Sequence, residues 1–311
     1  MKFVVTGGAG FIGANLVRSL LTRPTVTEVV VVDDLSTGSK ANLEGVDATL
    51  IEASILDRGA LDEAFTNAYA VAHLAALPSV SRSVIDPVAS HQVNATGTIE
   101  VLEAARRAGG PHIVVASSSS VYGGNPALPK HENLRAAPLS PYAASKLATE
   151  SYALAYAHCY DLPVLAFRFF NVFGPLQPAD HAYAAVVPAF INAALARQPL
   201  TVFGDGHQTR DFTYVGSVCT VLAETLLHRI VCADPVNLAF GTRTSLLELV
   251  STLEGVLDAP VQVQHAAPRA GDVRDSQADT TALRRLFPRV EPIPLQQGLA
   301  ETIEWFQTSR G

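Results

Sequence analysis

Apolar residues along this chain fall into two rhythms. Short unbroken apolar runs at 2–6, 28–32, 48–52, 69–74, 112–117 and 163–169 predict buried strands. Between them, near 11–22, 58–67, 86–108 and 140–160, apolar positions recur every three or four residues and predict helices. Strand and helix alternating in this way build a parallel sheet covered on both faces. After Asn171 the rhythm breaks. Pro175, Pro178, Pro188 and Pro199 cluster there, and helical patterns return only near 183–197, 216–229, 245–257 and 295–307. The expected architecture is α/β: a doubly wound parallel sheet, with a smaller C-terminal lobe at the carboxyl edge of the strands, where ligands of open α/β sheets bind. The boundaries read as 1–170 plus returning segments about 212–240 for the sheet domain, and 171–211 and 241–311 for the lobe.

The predicted helix at 140–160 carries apolar groups around most of its circumference (Tyr142, Ala143, Ala144, Leu147, Ala148, Tyr152, Leu154, Ala155, Tyr156). Such a helix is expected to be buried on all sides. One side fits the sheet. The other fits either a second copy of the chain, giving a homodimer, or the C-terminal lobe.

Composition narrows the function classes. With 48% hydrophobic and 16% charged residues over 311 positions, the chain can bury a large core. A net charge of −7 argues against a nucleic-acid partner. Cys159, Cys219 and Cys232 show no metal-ligand spacing. No apolar run approaches the roughly 20 residues of a membrane span, and the first residues do not read as a signal peptide. A cytoplasmic protein, with no metal and no membrane partner, is the expectation.

The first strand runs directly into Gly7-Gly8-Ala9-Gly10-Phe11-Ile12-Gly13. Bare backbone where strand turns into helix suits a pyrophosphate lying on helix N-terminal amides. The second strand ends at Asp33, twenty residues past Gly13, where a carboxylate meets an adenosine ribose. Asp33-Asp34 would repel a 2′-phosphate, so NAD is expected rather than NADP. A second motif is Ser140-Pro141-Tyr142-Ala143-Ala144-Ser145-Lys146. Proline opens the helix, and Tyr142 and Lys146 share a face. An ammonium beside the phenol, with a positive nicotinamide ring, is expected to bring Tyr142 down from about 10 towards acid–base use. The strand before Ser117-Ser118-Ser119-Ser120 places hydroxyls at the same edge of the sheet.

Together with Asp33 to Gly38, His73 to Ala76, Asn94, the run from Arg168 to Pro175, Gly204 to Phe212 and Arg269 to Arg274, these motifs resemble the NAD-dependent epimerase/dehydratase family, the extended short-chain dehydrogenases/reductases. Within it the chain most resembles UDP-hexose 4-epimerases. The resemblance implies a catalytic set of Ser118, Tyr142 and Lys146. It implies NAD held by Gly7, Gly10, Phe11, Ile12, Gly13, Asp33, Asp34, Ser36, Thr37, Gly38, Ser54, Ile55, Leu74, Ala75, Ala76, Asn94, Ser117, Tyr142, Lys146 and Phe170. It implies a UDP-sugar held by Ser118, Ser119, Tyr142, Asn171, Val187, Arg210, Arg269, Asp272 and Ser276. Serines at 119 and 120, where dehydratases of the family carry Asp-Glu, place dehydration second. Serine at 276, where a bulky tyrosine narrows the pocket of some epimerases, leaves space for a 2-acetamido group, as in UDP-N-acetylglucosamine. UDP-glucuronate 4-epimerase, nucleotide-sugar dehydratase or reductase, and non-catalytic NAD sensor remain the alternatives. Ser54, Pro78 and Ala185 depart from the family pattern.

Overall fold

A computed structural model describes residues 1–179, 184–267 and 274–308. In chain order the elements up to residue 169 are β1 (Lys2–Thr6), α1 (Phe11–Leu21), β2 (Glu28–Asp33), β3 (Thr49–Glu52), α2 (Arg58–Phe65), β4 (Ala70–His73), α3 (Val80–Ile85), α4 (Pro87–His91), α5 (Gly97–Arg107), β5 (His112–Ser118), α6 (Pro141–Tyr160) and β6 (Val164–Phe169). They are followed by β7 (Val172–Phe173), α7 (Val186–Leu195), β8 (Leu200–Phe203), β9 (Thr209–Arg210), β10 (Thr213–Tyr214), α8 (Val215–His228), β11 (Val236–Leu238), β12 (Thr244–Ser245), α9 (Leu246–Leu257), β13 (Val263–Ala266), α10 (Thr281–Leu286) and α11 (Leu295–Thr308).

Seven strands form one parallel sheet in the order β11-β6-β5-β4-β1-β2-β3. The order reverses between β1 and β4, and that switch point opens a crevice at the carboxyl ends of the strands. Alternation along each strand sorts side chains onto two faces. Phe3 and Val5 of β1, with Val29 and Val31 of β2, join the core that includes Leu16 and Leu20 of α1 and Val218 and Leu222 of α8. Val4, Val30 and Val32 join the opposite core, which includes Leu61 and Phe65 of α2 and Val101 and Leu102 of α5. Three two-stranded pairs lie outside the sheet: β7 with β10, β9 with β12, and β8 with β13.

The helix expected over 86–108 is interrupted. Between α4 and α5, residues Gln92–Thr96 form a π-helical turn, a wide turn often found where a side chain must be re-aimed. Here it buries Asn94 (1% exposed) against the Leu77 backbone. The short helices α3 and α10 are additions that the periodicity did not show, because neither is long enough to repeat its pattern.

Within the single chain, helix α6 is covered on one side and open on the other. Ser140 caps it, accepting from the Ala143 amide at 3.1 Å, and Asp161 ends it in a left-handed conformation. Its buried residues are Ala143, Ser145, Lys146, Thr149, Glu150 and Ala153, so most of the face on the protein is polar. Ala144, Tyr152 and Ala155 are exposed, and the C-terminal lobe does not cover them. Val84 (65% exposed), Ile85 (74%) and Val88 (64%) on the adjoining α3 and α4 extend this open apolar surface.

The deepest charged contact joins α6 to the sheet. Glu150 and Arg168 pair through two bonds of 2.6 and 2.9 Å, each side chain only 5% exposed. Ser117 donates to the same carboxylate at 2.8 Å, and the Arg168 guanidinium lies 4.7 Å from the Tyr122 ring centroid. Arg168→Met strands a buried carboxylate and should cost about 3–5 kcal/mol of unfolding free energy in urea titration. Adding Glu150→Leu should recover much of that loss, because the uncompensated charge is then gone.

Candidate active site

The glycine turn is built by close approach. Gly7 has φ of +72°, and a Cβ there would lie 2.6 Å from the Ala75 amide nitrogen. A Cβ on Gly13 would lie 2.1 Å from the Gly7 carbonyl oxygen. Strand and helix therefore meet without side chains between them, and α1 begins at the lip of a cavity of about 360 Å³. The first-turn amides of α1 have no intrahelical acceptors, and the Gly10 N-cap supplies no capping side chain. Gly7, Gly10, Phe11, Ile12 and Gly13 all line this cavity.

Asp33 and Asp34 line the same cavity at the end of β2. Asp33 accepts from the Ala9 amide at 2.9 Å and the Leu35 amide at 2.8 Å. Burial pushes its carboxyl above the usual range, and these two amides pull it back. Oxygen lone pairs remain for a ribose diol. Val32, Ala53, Ile55, Leu74 and Val93 supply an apolar wall beside it. Lys146 is the one cation among the described lining residues. It sits over β5, three strand spacings from Asp33, or about 14 Å. Among the described lining residues the acidic end thus offers no cation to a 2′-phosphate, and nearby Lys40 is paired with Glu52. Amides for a pyrophosphate, a carboxylate for a ribose and an apolar slot for a flat base all fit NAD.

The opposite end of the cavity holds the chemistry-bearing side chains. Ser117 and Ser118 end β5, and Tyr142 and Lys146 face them from the first turns of α6. The Ser118 hydroxyl accepts from the Ser120 amide at 3.1 Å and donates to the Ser120 hydroxyl at 3.0 Å. Ser83 fixes the start of α6 by accepting from the Tyr142 amide at 3.0 Å. The Lys146 ammonium donates to the Ala116 carbonyl at 2.9 Å.

Burial pushes the Tyr142 phenol up, while its contact with the Ser118 hydroxyl pulls it down. Burial also brings Lys146 down to about 8. The same low-polarity surroundings disfavour charge on both groups. In the protein alone burial thus favours the protonated phenol. His73 is brought down to about 3 by burial and by Lys146 nearby, so it is neutral; Thr6 and Thr98 hydroxyls hold its two ring nitrogens at 2.8 and 3.0 Å.

A second cavity of about 310 Å³ meets the first at Asn171 and Val172, which line both. Val187, Phe190, Phe203, Gln208, Arg210 and Phe212 form much of its wall. Asn171 has φ of +29° and donates to the Asp211 carbonyl at 3.3 Å. Arg210 donates to the carbonyls of Thr209 and Arg274 at 2.9 and 3.1 Å. The Asp211 carboxylate behind it ties Gly241, Thr242 and Ala278 together through four donors.

Several implied residues lie off these walls. Gly38 packs behind the wall against Ala9 and Asp33. Ser54 accepts from the Leu56 amide. Asn94 spends its amide on the Leu77 backbone and the Ser145 hydroxyl. Phe170 packs against Tyr122, and Phe169 lines the cavity in its place. Ser119 lies in the turn after β5, and Ser276 donates its amide to the Thr209 carbonyl; neither lines a cavity. Arg269 and Asp272 lie outside the described residues. Residues 268–273 and 180–183, where Tyr183 falls, carry no structural account. Gln177 and Gln208 line the cavities without having been among the implied site residues, although Gln208 lies within the Gly204 to Phe212 motif. Gln208 is 8% exposed and donates to the Phe203 carbonyl at 2.5 Å, which leaves its own buried carbonyl oxygen without a partner. No group of described residues has the makings of a metal site, and no described helix is long and apolar enough to cross a membrane.

Known proteins resemble this arrangement along the whole chain. The chain is 38% identical over 321 residues to a UDP-glucose 4-epimerase of Mycolicibacterium smegmatis, covering 99% of each. A solved UDP-N-acetylglucosamine 4-epimerase from Methanobrevibacter ruminantium, in complex with UDP-N-acetylmuramic acid, superposes with a TM-score of 0.93 at 33% identity, covering 99% of this chain and 98% of that one. The UDP-glucose 4-epimerase of Thermus thermophilus, solved in complex with NAD, gives 0.88 at 33% identity over 99% of both chains. Residues 3–239 match the NAD dependent epimerase/dehydratase family, and with its glycine turn, its Asp33 and its Tyr142–Lys146 pair all on one cavity, the chain belongs to that family of NAD-dependent enzymes.

Proposed function

We propose that the protein interconverts the 4-epimers of a UDP-hexose, acting on UDP-glucose/UDP-galactose and on UDP-N-acetylglucosamine/UDP-N-acetylgalactosamine. The observation that carries this reading is the make-up of the reacting end of the first cavity. Ser118, Tyr142 and Lys146 stand there with no carboxylic acid beside them among the described lining residues, and Glu150 behind Ser117 is committed to Arg168. The acids among the described lining residues are Asp33 and Asp34, at the far end of the groove. Groups for oxidising and reducing a carbinol are present, and an acid pair for expelling the C6 hydroxyl is not. That favours epimerisation over dehydration.

NAD supplies an acceptor for the C4 hydrogen and gives it back. Every other task falls to the chain. The Ser118 hydroxyl bonds the sugar 4-oxygen, and the Tyr142 phenolic oxygen takes its proton and later returns it. Lys146, anchored on the Ala116 carbonyl, reaches the nicotinamide ribose. The second cavity takes the nucleoside diphosphate, with Arg210 and Asn171 at the phosphates, because a guanidinium fork suits paired phosphate oxygens. The family resemblance assigns Arg269 and Asp272 to the same task, and Val187 lines the second cavity. A sugar at the junction is then held by its diphosphate and can present either face. A 4-keto intermediate forms and is reduced from the other side.

A glucuronate substrate fits less well. Lys146 is committed to a carbonyl, and the described wall of the reacting cavity offers no second cation for a carboxylate. A silent NAD sensor would have no use for Ser118, Tyr142 and Lys146 on one wall. We also propose that two chains pair through the open surface of α3, α4 and α6, which carries Val84, Ile85, Val88 and Tyr152. Sedimentation should then give the mass of two chains, and Ile85→Asp with Val88→Asp the mass of one; a single-chain mass for the parent protein contradicts the pairing.

Purified protein without added NAD should convert UDP-glucose and UDP-N-acetylglucosamine to their 4-epimers at unchanged mass. Tyr142→Phe should lower kcat by about 10²–10⁴-fold while the protein keeps its NAD. Loss of water from the substrate would point to dehydration instead. Full activity in Tyr142→Phe would remove the phenol from the mechanism.

A further inference from the structure

The segment after β2 is exposed yet belongs to the cofactor cavity. Residues 34–44 hold a single 3₁₀ turn at Lys40–Leu43, and Ser36 and Thr37 are part of the cavity wall. A surface segment with so little burial opens readily unless something ties it down. The ion pair of Lys40 with Glu52 is exposed on both sides and ties little.

The ties converge on the backbone of Ala9, in the middle of the glycine turn. Its amide donates to Asp33 at 2.9 Å. Its carbonyl accepts from the Ser39 amide at 3.0 Å and from the Asn42 side chain at 2.8 Å. Arg18 closes the arrangement from the solvent side of α1. Its half-buried guanidinium donates to the carbonyls of Ala14 (3.3 Å), Asn42 and Glu44 (3.3 Å). All three acceptors are main-chain oxygens, so this cation serves geometry rather than charge pairing. The planar fork reaches two points of the segment from one point of the helix.

We propose that Arg18 and Asn42 form a clasp that holds residues 36–44 shut across the glycine turn and so keeps NAD resident through the catalytic cycle. Arg18 is a positioning residue: it lines neither cavity and acts through the segment it holds. The clasp rests on the epimerase reading in one respect. A reaction with no net redox change has no use for cofactor exchange, so slow release costs it nothing, whereas a dehydrogenase must let its cofactor go every turnover.

The test reads NAD, not turnover. Protein purified in NAD-free buffer is assayed for NAD per chain, and release is followed after dilution. Arg18→Gln and Asn42→Ala should each release NAD at least tenfold faster than the parent. The melting temperature of the NAD-free proteins should be unchanged, and excess NAD should restore kcat with the KM for UDP-sugar unaltered. Arg18→Lys should behave like Arg18→Gln, because an ammonium keeps the charge and loses the fork. Parent-like NAD content and release in Arg18→Gln and Asn42→Ala would overturn the clasp. So would parent-like retention in Arg18→Lys, which would make the charge alone responsible. A parent protein that holds NAD tightly but converts no UDP-sugar would sink the epimerase reading and leave the release measurements standing.

Discussion

Helix α6 meets the sheet through charge and hydroxyl more than through hydrocarbon, and each of those groups must find a partner on burial. Tyr142, Lys146 and Glu150 recur every four residues along one stripe. Lys146 reaches the Ala116 carbonyl, Glu150 takes Arg168 and Ser117, and Thr149 donates to the Asn94 carbonyl at 2.6 Å. A rotation of α6 by one residue, about 100°, would leave all of them unpaired. Buried ion pairs add little net stability over hydrocarbon. Their value here is register: the one rotation that satisfies Glu150 also points Tyr142 at Ser118.

The same burial sets the electrical state of the site. Phenol and ammonium are both pushed towards neutrality, the phenol upwards and Lys146 down to about 8. An unliganded phenol held protonated is a poor base. The positive nicotinamide ring of the oxidised cofactor is the group that would favour a phenolate. Proton removal is thereby tied to the presence of the cofactor in its oxidising form.

Much of this was legible in the sequence. The six strands expected over 2–169 appear within a residue or two, because buried parallel strands are plain apolar runs. Gly7, Gly13, Asp33, Ser118, Tyr142 and Lys146 share one cavity wall because each sits at a strand end or helix start, where chain position fixes spatial position. What was not legible depends on contacts between distant segments. The outward side of α6 carries Ala144, Tyr152 and Ala155 and its inward side Lys146, Thr149 and Glu150, which inverts the usual pattern, so periodicity could not say which side meets the sheet. Asn94 is a cofactor residue by motif, yet a π-turn directs it to the Leu77 backbone. Gln208 carries an unpartnered buried oxygen, which no sequence pattern reveals. Ser276 lies near Thr209 but off both cavity walls, so the room for an acetamido group is not set by that side chain alone.

The central claim of the proposed mechanism is that the hydrogen removed from C4 stays within the site and returns to the same carbon. The most direct measurement is turnover of UDP-glucose carrying deuterium at C4, with the epimer analysed by mass spectrometry. Full retention of deuterium at C4, together with no uptake of label there when unlabelled substrate turns over in heavy water, is the predicted result. Loss of the C4 label to solvent, or a product lighter by one water, would contradict the account.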